Sequence, residues 1–288
     1  MERRIWGLMM VKNEGDVIEE ILSYLREKNF YHKIFFFDND SKDDTFKKAR
    51  KFKDILYKPQ KVSEAFTEGF KRGLLRRYEN LYEEGDWLGV VDGDEFLQED
   101  PQKYIKLSEK EKATRIMVKQ MCFYYTDRDL MNNKYEDRNK PIRERRKYYM
   151  VNHVEPRFYK YIPGILRSKK KTCSKRILNK HYPFRTPEQI KMRIYTRAEA
   201  HKKTKAGSHW KDSNWRHYIV RASNLHKLEP NGNINYHLPK NFQFIDEKDE
   251  RIFWFNPIQN FFWYPWWTKE EHELLKRKYC EYLEKKTK

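Results

Sequence analysis

Three carboxylates follow a short apolar run in the N-terminal half of the sequence. The run, residues 88–91, is long enough for a buried strand and too short for a helix. Asp92, Asp94 and Glu95 come directly after it, with Gly93 between the two aspartates. Side chains two positions apart in an extended chain point to the same side, so Asp92 and Asp94 can face one ligand. Carboxylate oxygens suit Mg²⁺ or Mn²⁺, so the spacing predicts a divalent-cation site. An acidic turn that only closes a strand is the alternative.

Strand-like and helix-like patterns alternate up to this point. Strands are predicted at 5–11, 34–37, 55–57 and 88–91, and helices at 17–25, 45–52 and 63–78. This alternation predicts an α/β fold with a mostly parallel central sheet flanked by helices. In such sheets ligands bind beyond the carboxyl ends of the strands. The polar residues predicted at those ends are Asn13, Asp38, Asp40, Asp92 and Asp94.

The second half of the chain is less regular. A strand is predicted at 115–123, a long surface loop at 126–150, a hairpin-like pair at 157–161 and 162–166, and a helix at 187–200. Thr268 and Glu271 have the spacing of a capping box that opens a C-terminal helix. The predicted domains are therefore a catalytic domain over 1–240, with halves 1–115 and 116–240, and an aromatic and helical extension over 241–288.

Composition narrows the expected surroundings of the protein. The 288 residues carry a formal net charge of +19, which attracts phosphates, anionic lipid head groups or nucleic acid. The cysteines Cys122, Cys173 and Cys280 are too far apart for a zinc site and odd in number, so a reducing compartment is expected. The N-terminus lacks the apolar core of a signal peptide, and no apolar stretch approaches 18 residues. These features predict a cytoplasmic location.

Five sequence blocks in a fixed order resemble one enzyme family. The blocks are 10–14, 38–45, 91–97, 156–159 and 179–185. Together they resemble the glycosyltransferase family 2-like proteins of the GT-A fold, over about the first 100 residues and a second patch near 155–193. The resemblance implies a GT-A type α/β domain, with a nucleotide-sugar-binding half followed by an acceptor-binding half.

The resemblance also implies a donor site. Asp38 would accept a hydrogen bond from the nucleobase, and Asp92 would contact the ribose or the metal. The residues assigned to the nucleotide are Asn13, Glu14, Asp38, Asp40, Asp92 and Arg185. The metal, Mn²⁺ or Mg²⁺, would be held by Asp92 and Asp94, with His181 completing its site or serving as a structural histidine. UDP-sugar is the favoured donor and GDP-sugar the second candidate.

Family 2 enzymes invert the anomeric centre, which requires a carboxylate general base on the acceptor hydroxyl. This sequence departs from better-known members, because a Glu-Asp pair followed by a Gln-x-x-Arg-Trp-type block is missing. Glu95, Asp137, Glu144 and Glu155 are the candidates, and Glu155 and Glu95 are selected as the predicted catalytic residues. The expected acceptor is a glycan, a lipid-linked or a protein-linked group.

The aromatic segment 252–267 has three interpretations. It can pack as core, stack on an acceptor sugar, or dock peripherally at a membrane interface. Two other functions remain open for the whole chain: a nucleotidyltransferase, which also uses paired aspartates, and a nucleic-acid-binding protein, which the charge and aromatic content suit. The acidic strand ends would repel nucleic-acid phosphates without a metal, so no obligate nucleic-acid partner is predicted.

Overall fold

The computed structural model describes residues 2–63, 68–164, 171–204, 214–241 and 268–286. Its strands are β1 Ile5–Val11, β2 Lys33–Asn39, β3 Leu56–Val62, β4 Trp87–Val91, β5 Glu95–Leu97, β6 Arg115–Phe123, β7 Tyr148–Lys160, β8 Thr172–His181 and β9 His226–Lys227. Its helices are α1 Ile18–Lys28, α2 Thr45–Ala49, α3 Glu68–Arg76, α4 Pro101–Glu111, α5 Asp127–Met131, α6 Ile142–Arg145, α7 Pro187–Thr204 and α8 Lys269–Lys286.

The chain divides into two compact units. The first comprises residues 1–119 and 155–180, and the second comprises residues 120–154 and 181–288. The first unit is discontinuous, because the chain returns to it after residue 154. The predicted domain boundaries at 115/116 and 240/241 stay predictions.

Parallel pairing dominates the start of the sheet in the first unit. Strands β3, β2, β1 and β4 are neighbours in that order, and all three pairs are parallel. The order continues through β7, β6, β8 and β5, and β7 is antiparallel to β4. The apolar runs in β1, β2 and β4 are buried along their length, as expected for parallel strands covered on both faces. The predicted α/β architecture is confirmed.

Aromatic side chains supply much of the core of the first unit. The Phe35 ring stacks on Trp6 and Tyr78, with centroids 5.4 and 4.3 Å away. Offset aromatic contacts of this kind stabilise a core beyond the area they bury. Phe46 of α2 is half-buried. The cationic groups of Lys61 and Arg50 lie 5.5 and 5.9 Å from its ring centroid.

The second unit corrects the prediction of a long loop over residues 126–150. That segment contains α5, α6 and the beginning of β7. Its centre is Arg146, which is buried and pairs with Glu136 at 2.5 Å and Asp129 at 3.3 Å. Arg146 also donates to the backbone carbonyl of Arg185 at 3.1 Å through Nε. A buried guanidinium therefore organises a segment whose sequence is mostly polar.

Other predictions for the later chain have mixed outcomes. The strand at 115–123 and the helix from Pro187 are confirmed. The capping box is confirmed as well, since Thr268 N donates to Glu271 Oε2 at 2.8 Å and Glu271 N donates to Thr268 Oγ1 at 3.2 Å. Of the predicted hairpin, the first strand lies in β7 as far as residue 160, Pro163 and Gly164 form a turn, and residues 165–166 lie outside the described residues, so the pairing stays a prediction. The aromatic segment 252–267 also lies outside them.

Candidate functional site

The carboxyl ends of three parallel strands meet at one edge of the sheet. Val11, the last residue of β1, is opposite Asp38 in β2, and Met9 of β1 is opposite Val91, the last residue of β4. The turn after β1 carries Asn13 and Glu14, and the turn after β2 carries Asp40. The turn after β4 carries Asp92 and Asp94. The predicted nucleotide and metal residues that belong to the first unit are therefore gathered at this edge.

The turn after β1 is fastened to the turn after β2. Asn13 donates through its backbone nitrogen to Ser41 Oγ at 2.8 Å, and its Oδ1 accepts from the backbone nitrogen of Lys42 at 2.8 Å. Glu14 N donates to Thr45 Oγ1 at 2.9 Å. Asn13 holds a left-handed φ of 56°, a conformation that asparagine tolerates better than most residues. These bonds fix the backbone on which both turns present their polar groups.

Asp38 is fully buried and only half satisfied. Its Oδ1 accepts from the backbone nitrogen of Ser41 at 2.7 Å. Its Oδ2 is buried and finds no hydrogen-bond donor among the described residues. A buried carboxylate oxygen without a donor costs free energy, so Oδ2 is an acceptor that a ligand could satisfy. Asp40 is more exposed, and the hydrogen bond from Lys42 lowers its pKa.

Asp92 and Asp94 differ in accessibility. The Asp92 side chain is 33% exposed, whereas Asp94 is 3% exposed. Gly93 lies between them against β1, since a Cβ at this position would stand 2.7 Å from Val11 Cγ1. The glycine therefore lets the carboxylate turn pack directly on the end of the neighbouring strand.

Gly93→Ala is expected to destabilise the protein by about 1–3 kcal/mol, because the new methyl group must displace a buried Val11 or the turn itself. Gly73→Ala is the matched control. It lies exposed in α3 with nothing within 4 Å of its added Cβ, so it should stabilise the protein by roughly 0.5–1 kcal/mol. Chemical denaturation measures both. Equal stability of the two variants would contradict the close packing of the turn.

Arg157 of β7 is a site residue to which the sequence assigns no specific role. Its guanidinium lies among three carboxylates: Nη2 is 2.7 Å from Asp92 Oδ2 and 3.0 Å from Glu155 Oε1, and Nε is 3.1 Å from Glu95 Oε2. Asn179 Nδ2 donates to the same Glu95 oxygen at 2.7 Å. The predicted metal ligand Asp92 and both predicted catalytic carboxylates therefore all contact the Arg157 guanidinium.

This cluster is buried and strongly charged. Burial alone would lower the pKa of Arg157, but the three carboxylates outweigh it and raise that pKa well above its ordinary value. The guanidinium is therefore permanently charged. Burial, and then the charge of Glu95, raise the pKa of Tyr31. The only sequence signal for Arg157 was its position in the 156–159 block, because one charged residue within a strand has no pattern of its own.

The remaining two predicted site residues belong to the second unit. Arg185 is fully buried, and its Nη1 donates to the backbone carbonyl of Tyr182 at 3.0 Å. His181 Nδ1 lies 3.6 Å from Cys122 Sγ. Burial alone would raise the pKa of Cys122, but His153 and His181 lower it to about 7. The roles of Arg185 at a diphosphate and of His181 at a metal stay predictions.

Among the described residues, the structure shows no group of three or more His, Cys, Asp or Glu side chains arranged to hold a metal ion. Two carboxylates are nonetheless a sufficient protein contribution for Mg²⁺ or Mn²⁺ when phosphates and water supply the other ligands. None of the helices in the described part of the chain has the length and apolar character needed to cross a membrane.

Comparison with known proteins gives only remote likenesses. No family model matches the sequence, and no curated protein matches it. Among solved structures, residues 1–349 of S. aureus TarS align at a TM-score of 0.36 and 14% identity, covering 68% of this chain and 65% of that one. Glucosyl-3-phosphoglycerate synthase from Mycobacterium tuberculosis, in complex with Mn²⁺, UDP and glucosyl-3-phosphoglycerate, aligns at a TM-score of 0.28 and 18% identity. The alignment covers 42% of this chain and 44% of that one.

Mannosyl-3-phosphoglycerate synthase from Rubrobacter xylanophilus aligns at a TM-score of 0.30 and 16% identity, covering 42% of this chain and 41% of that one. The chain thus spans less than two thirds of the length of each of these three structures. TM-scores this low do not establish a shared fold, so the fold described above rests on the strand order and pairing of the chain itself.

Proposed function

We propose that this protein is a metal-dependent glycosyltransferase that moves a sugar from a nucleoside-diphosphate sugar to an acceptor hydroxyl. The observation that carries the proposal is the gathering of Asp38, Asp92 and Asp94 at one carboxyl edge of parallel strands, where α/β proteins bind their ligands. Three of the five sequence blocks that resemble glycosyltransferase family 2, residues 10–14, 38–45 and 91–97, lie at the same edge. UDP-sugar is the favoured donor.

Asp38 is assigned to the nucleobase, because its buried Oδ2 needs a donor such as a base N–H. Asn13, Glu14 and Asp40 lie in the flanking turns and are assigned to the nucleoside. Asp92 and Asp94 would hold the cation, and their hard oxygen donors fit Mn²⁺ or Mg²⁺. When bound, the cation would neutralise charge on the leaving diphosphate. The roles of His181 at the metal and of Arg185 at the diphosphate, both in the second unit, stay predictions from the sequence.

Glu155 is assigned as the general base for inversion in preference to Glu95. The Glu155 side chain is 30% exposed, so an acceptor hydroxyl can approach it. Glu95 is 5% exposed and is held by Arg157 and Asn179, which suits a group that positions its neighbours. The acceptor is proposed to be a glycan or another hydroxyl-bearing group, and the inverting outcome follows only if a base of this kind acts in a single displacement.

The test is a thermal-shift panel of UDP, GDP, CDP, dTDP and ADP, each with Mn²⁺ and with EDTA. A ligand at about 100 times its Kd adds roughly 2.7 kcal/mol of stability, which raises Tm by several degrees. A shift with UDP that EDTA removes supports the proposal. No shift with any diphosphate contradicts it, and salt-sensitive binding of single-stranded DNA without Mn²⁺ would then favour the nucleic-acid function that the charge of +19 suits.

Asp38→Asn is expected to weaken UDP binding about tenfold or more, with or without Mn²⁺. The substitution keeps an oxygen that can accept from Ser41 N, but it replaces the other oxygen with a donor that repels a base N–H. Calorimetric titration with UDP measures the effect. Asp54→Asn, an exposed aspartate, is the control and should leave UDP affinity unchanged. Equal affinities in the two variants would remove Asp38 from the nucleobase pocket.

A further inference from the structure

The carboxylates around Arg157 are not equivalent. Glu95 is the anchored one, since it is buried and bound by both Arg157 and Asn179. Asp92 and Glu155 are each about one third exposed and touch the guanidinium only through Nη2. Arg157 therefore extends from a buried anchor to two carboxylates at the accessible side of the cluster.

The contact with Arg157 leaves half of the Asp92 carboxylate available. Oδ2 lies 2.7 Å from Nη2, and Oδ1 makes no hydrogen bond with the described residues. A carboxylate with one oxygen fixed and the other open is oriented for a second cation on its open side. Removing a residue that orients a ligating carboxylate in this way commonly lowers metal affinity by about 10–100-fold.

We propose that Arg157 is a positioning residue that fixes Asp92 so that Oδ1 faces the divalent cation, and that the same guanidinium ties this ligand to Glu155. The inference rests on the proposed function. It assigns Arg157 no contact with the sugar or the diphosphate. The Nη2 atom of Arg157 contacts both Asp92, the proposed metal ligand, and Glu155, the proposed base. These two carboxylates are thereby held together through one nitrogen atom.

The charge of Arg157 acts against its orienting effect. A positive charge beside the site repels a metal cation. Removing Arg157 alone would therefore change metal affinity in two opposite ways, because Asp92 loses its orientation while the repulsion of the cation is also relieved. The double variant Arg157→Gln/Glu95→Gln removes one charge of each sign and leaves the net charge unchanged. Arg157→Lys keeps the positive charge but loses the planar fork that reaches several carboxylates at once.

The experiment is a Mn²⁺ titration, followed by electron paramagnetic resonance in the presence of UDP, of the wild type and both variants. The matched control is Arg138→Gln/Glu188→Gln, which removes a surface ion pair whose side chains are 50% and 63% exposed. We expect the Kd for Mn²⁺ to rise about 10–100-fold in both Arg157 variants and to stay constant in the control. UDP binding in EDTA should stay constant in all of them, a result that general loss of structure would not give.

A Kd for Mn²⁺ that is unchanged or lower in the double variant would overturn the inference while leaving the proposed function intact. Arg157→Lys decides the question if the double variant does not fold, because it retains the charge that Glu95 requires. Failure of the wild type to bind Mn²⁺ with UDP would instead overturn the proposed function, and the positioning role with it.

Discussion

Asp94→Asn is expected to abolish Mn²⁺-dependent binding of UDP while leaving the protein folded. The amide has nearly the shape of the carboxylate, but it loses the negative charge and one hard oxygen donor. Residues that hydrogen-bond to a metal ligand already change metal affinity by about 10–100-fold when they are removed. Loss of a direct ligand should therefore lower the affinity by at least about 100-fold. Calorimetric titration with UDP in the presence of Mn²⁺ measures this loss.

Two comparisons make the Asp94 result specific. Binding of UDP in EDTA should be the same in Asp94→Asn and the wild type, since the nucleobase contact proposed for Asp38 does not involve the cation. Asp54→Asn, which alters an exposed aspartate, should behave as the wild type throughout. Retention of Mn²⁺-dependent UDP binding by Asp94→Asn would show that Asp94 is not a metal ligand.

Arg157→Met is expected to lower the free energy of unfolding by about 3–5 kcal/mol, because it leaves Glu95 charged and buried without its counter-ion. At roughly 2–4 °C per kcal/mol, this is a fall in Tm on the order of 10 °C. Adding Glu95→Gln should recover most of the loss, since a neutral pair leaves no buried charge behind. Urea denaturation of the single and double variants measures both effects.

The surface pair Arg138–Glu188 supplies the contrast. Its atoms are 3.3 Å apart and both side chains are exposed, so Arg138→Met should cost no more than about 1 kcal/mol. If Arg157→Met costs as little as Arg138→Met, then Arg157 does not compensate Glu95 and the charged cluster is not a stabilising unit.

The sequence was sufficient for the first half of the fold because its elements are periodic. The apolar runs of β1, β2 and β4 and the helical spacing of α1 are local patterns, and the parallel sheet follows from their alternation. The positions of Asn13, Asp38 and Asp92 at one edge follow from that topology in turn. Edge strand β3 is longer than predicted, because its polar residues extend past the apolar run at 55–57.

The residues that sequence patterns could not place are those that depend on long-range charge pairing. Arg146 and Arg157 both read as surface arginines, yet each is buried among carboxylates contributed by other parts of its unit. Asp92 and Glu95 precede Arg157 by 65 and 62 residues, so no local sequence window contains either pair. The helices of 126–150 were missed because a polar segment can be ordered by a buried ion pair, here that of Arg146 with Glu136, as well as by an apolar face.

The most direct test of the donor site is a crystal structure with Mn²⁺ and UDP, with the ion identified by anomalous scattering at the manganese edge. The proposed function predicts one manganese peak in contact with Asp92, Asp94 and the diphosphate, and a uracil N–H within hydrogen-bonding distance of Asp38 Oδ2. Manganese bound elsewhere, or UDP bound away from the carboxyl edge of β1, β2 and β4, would contradict it.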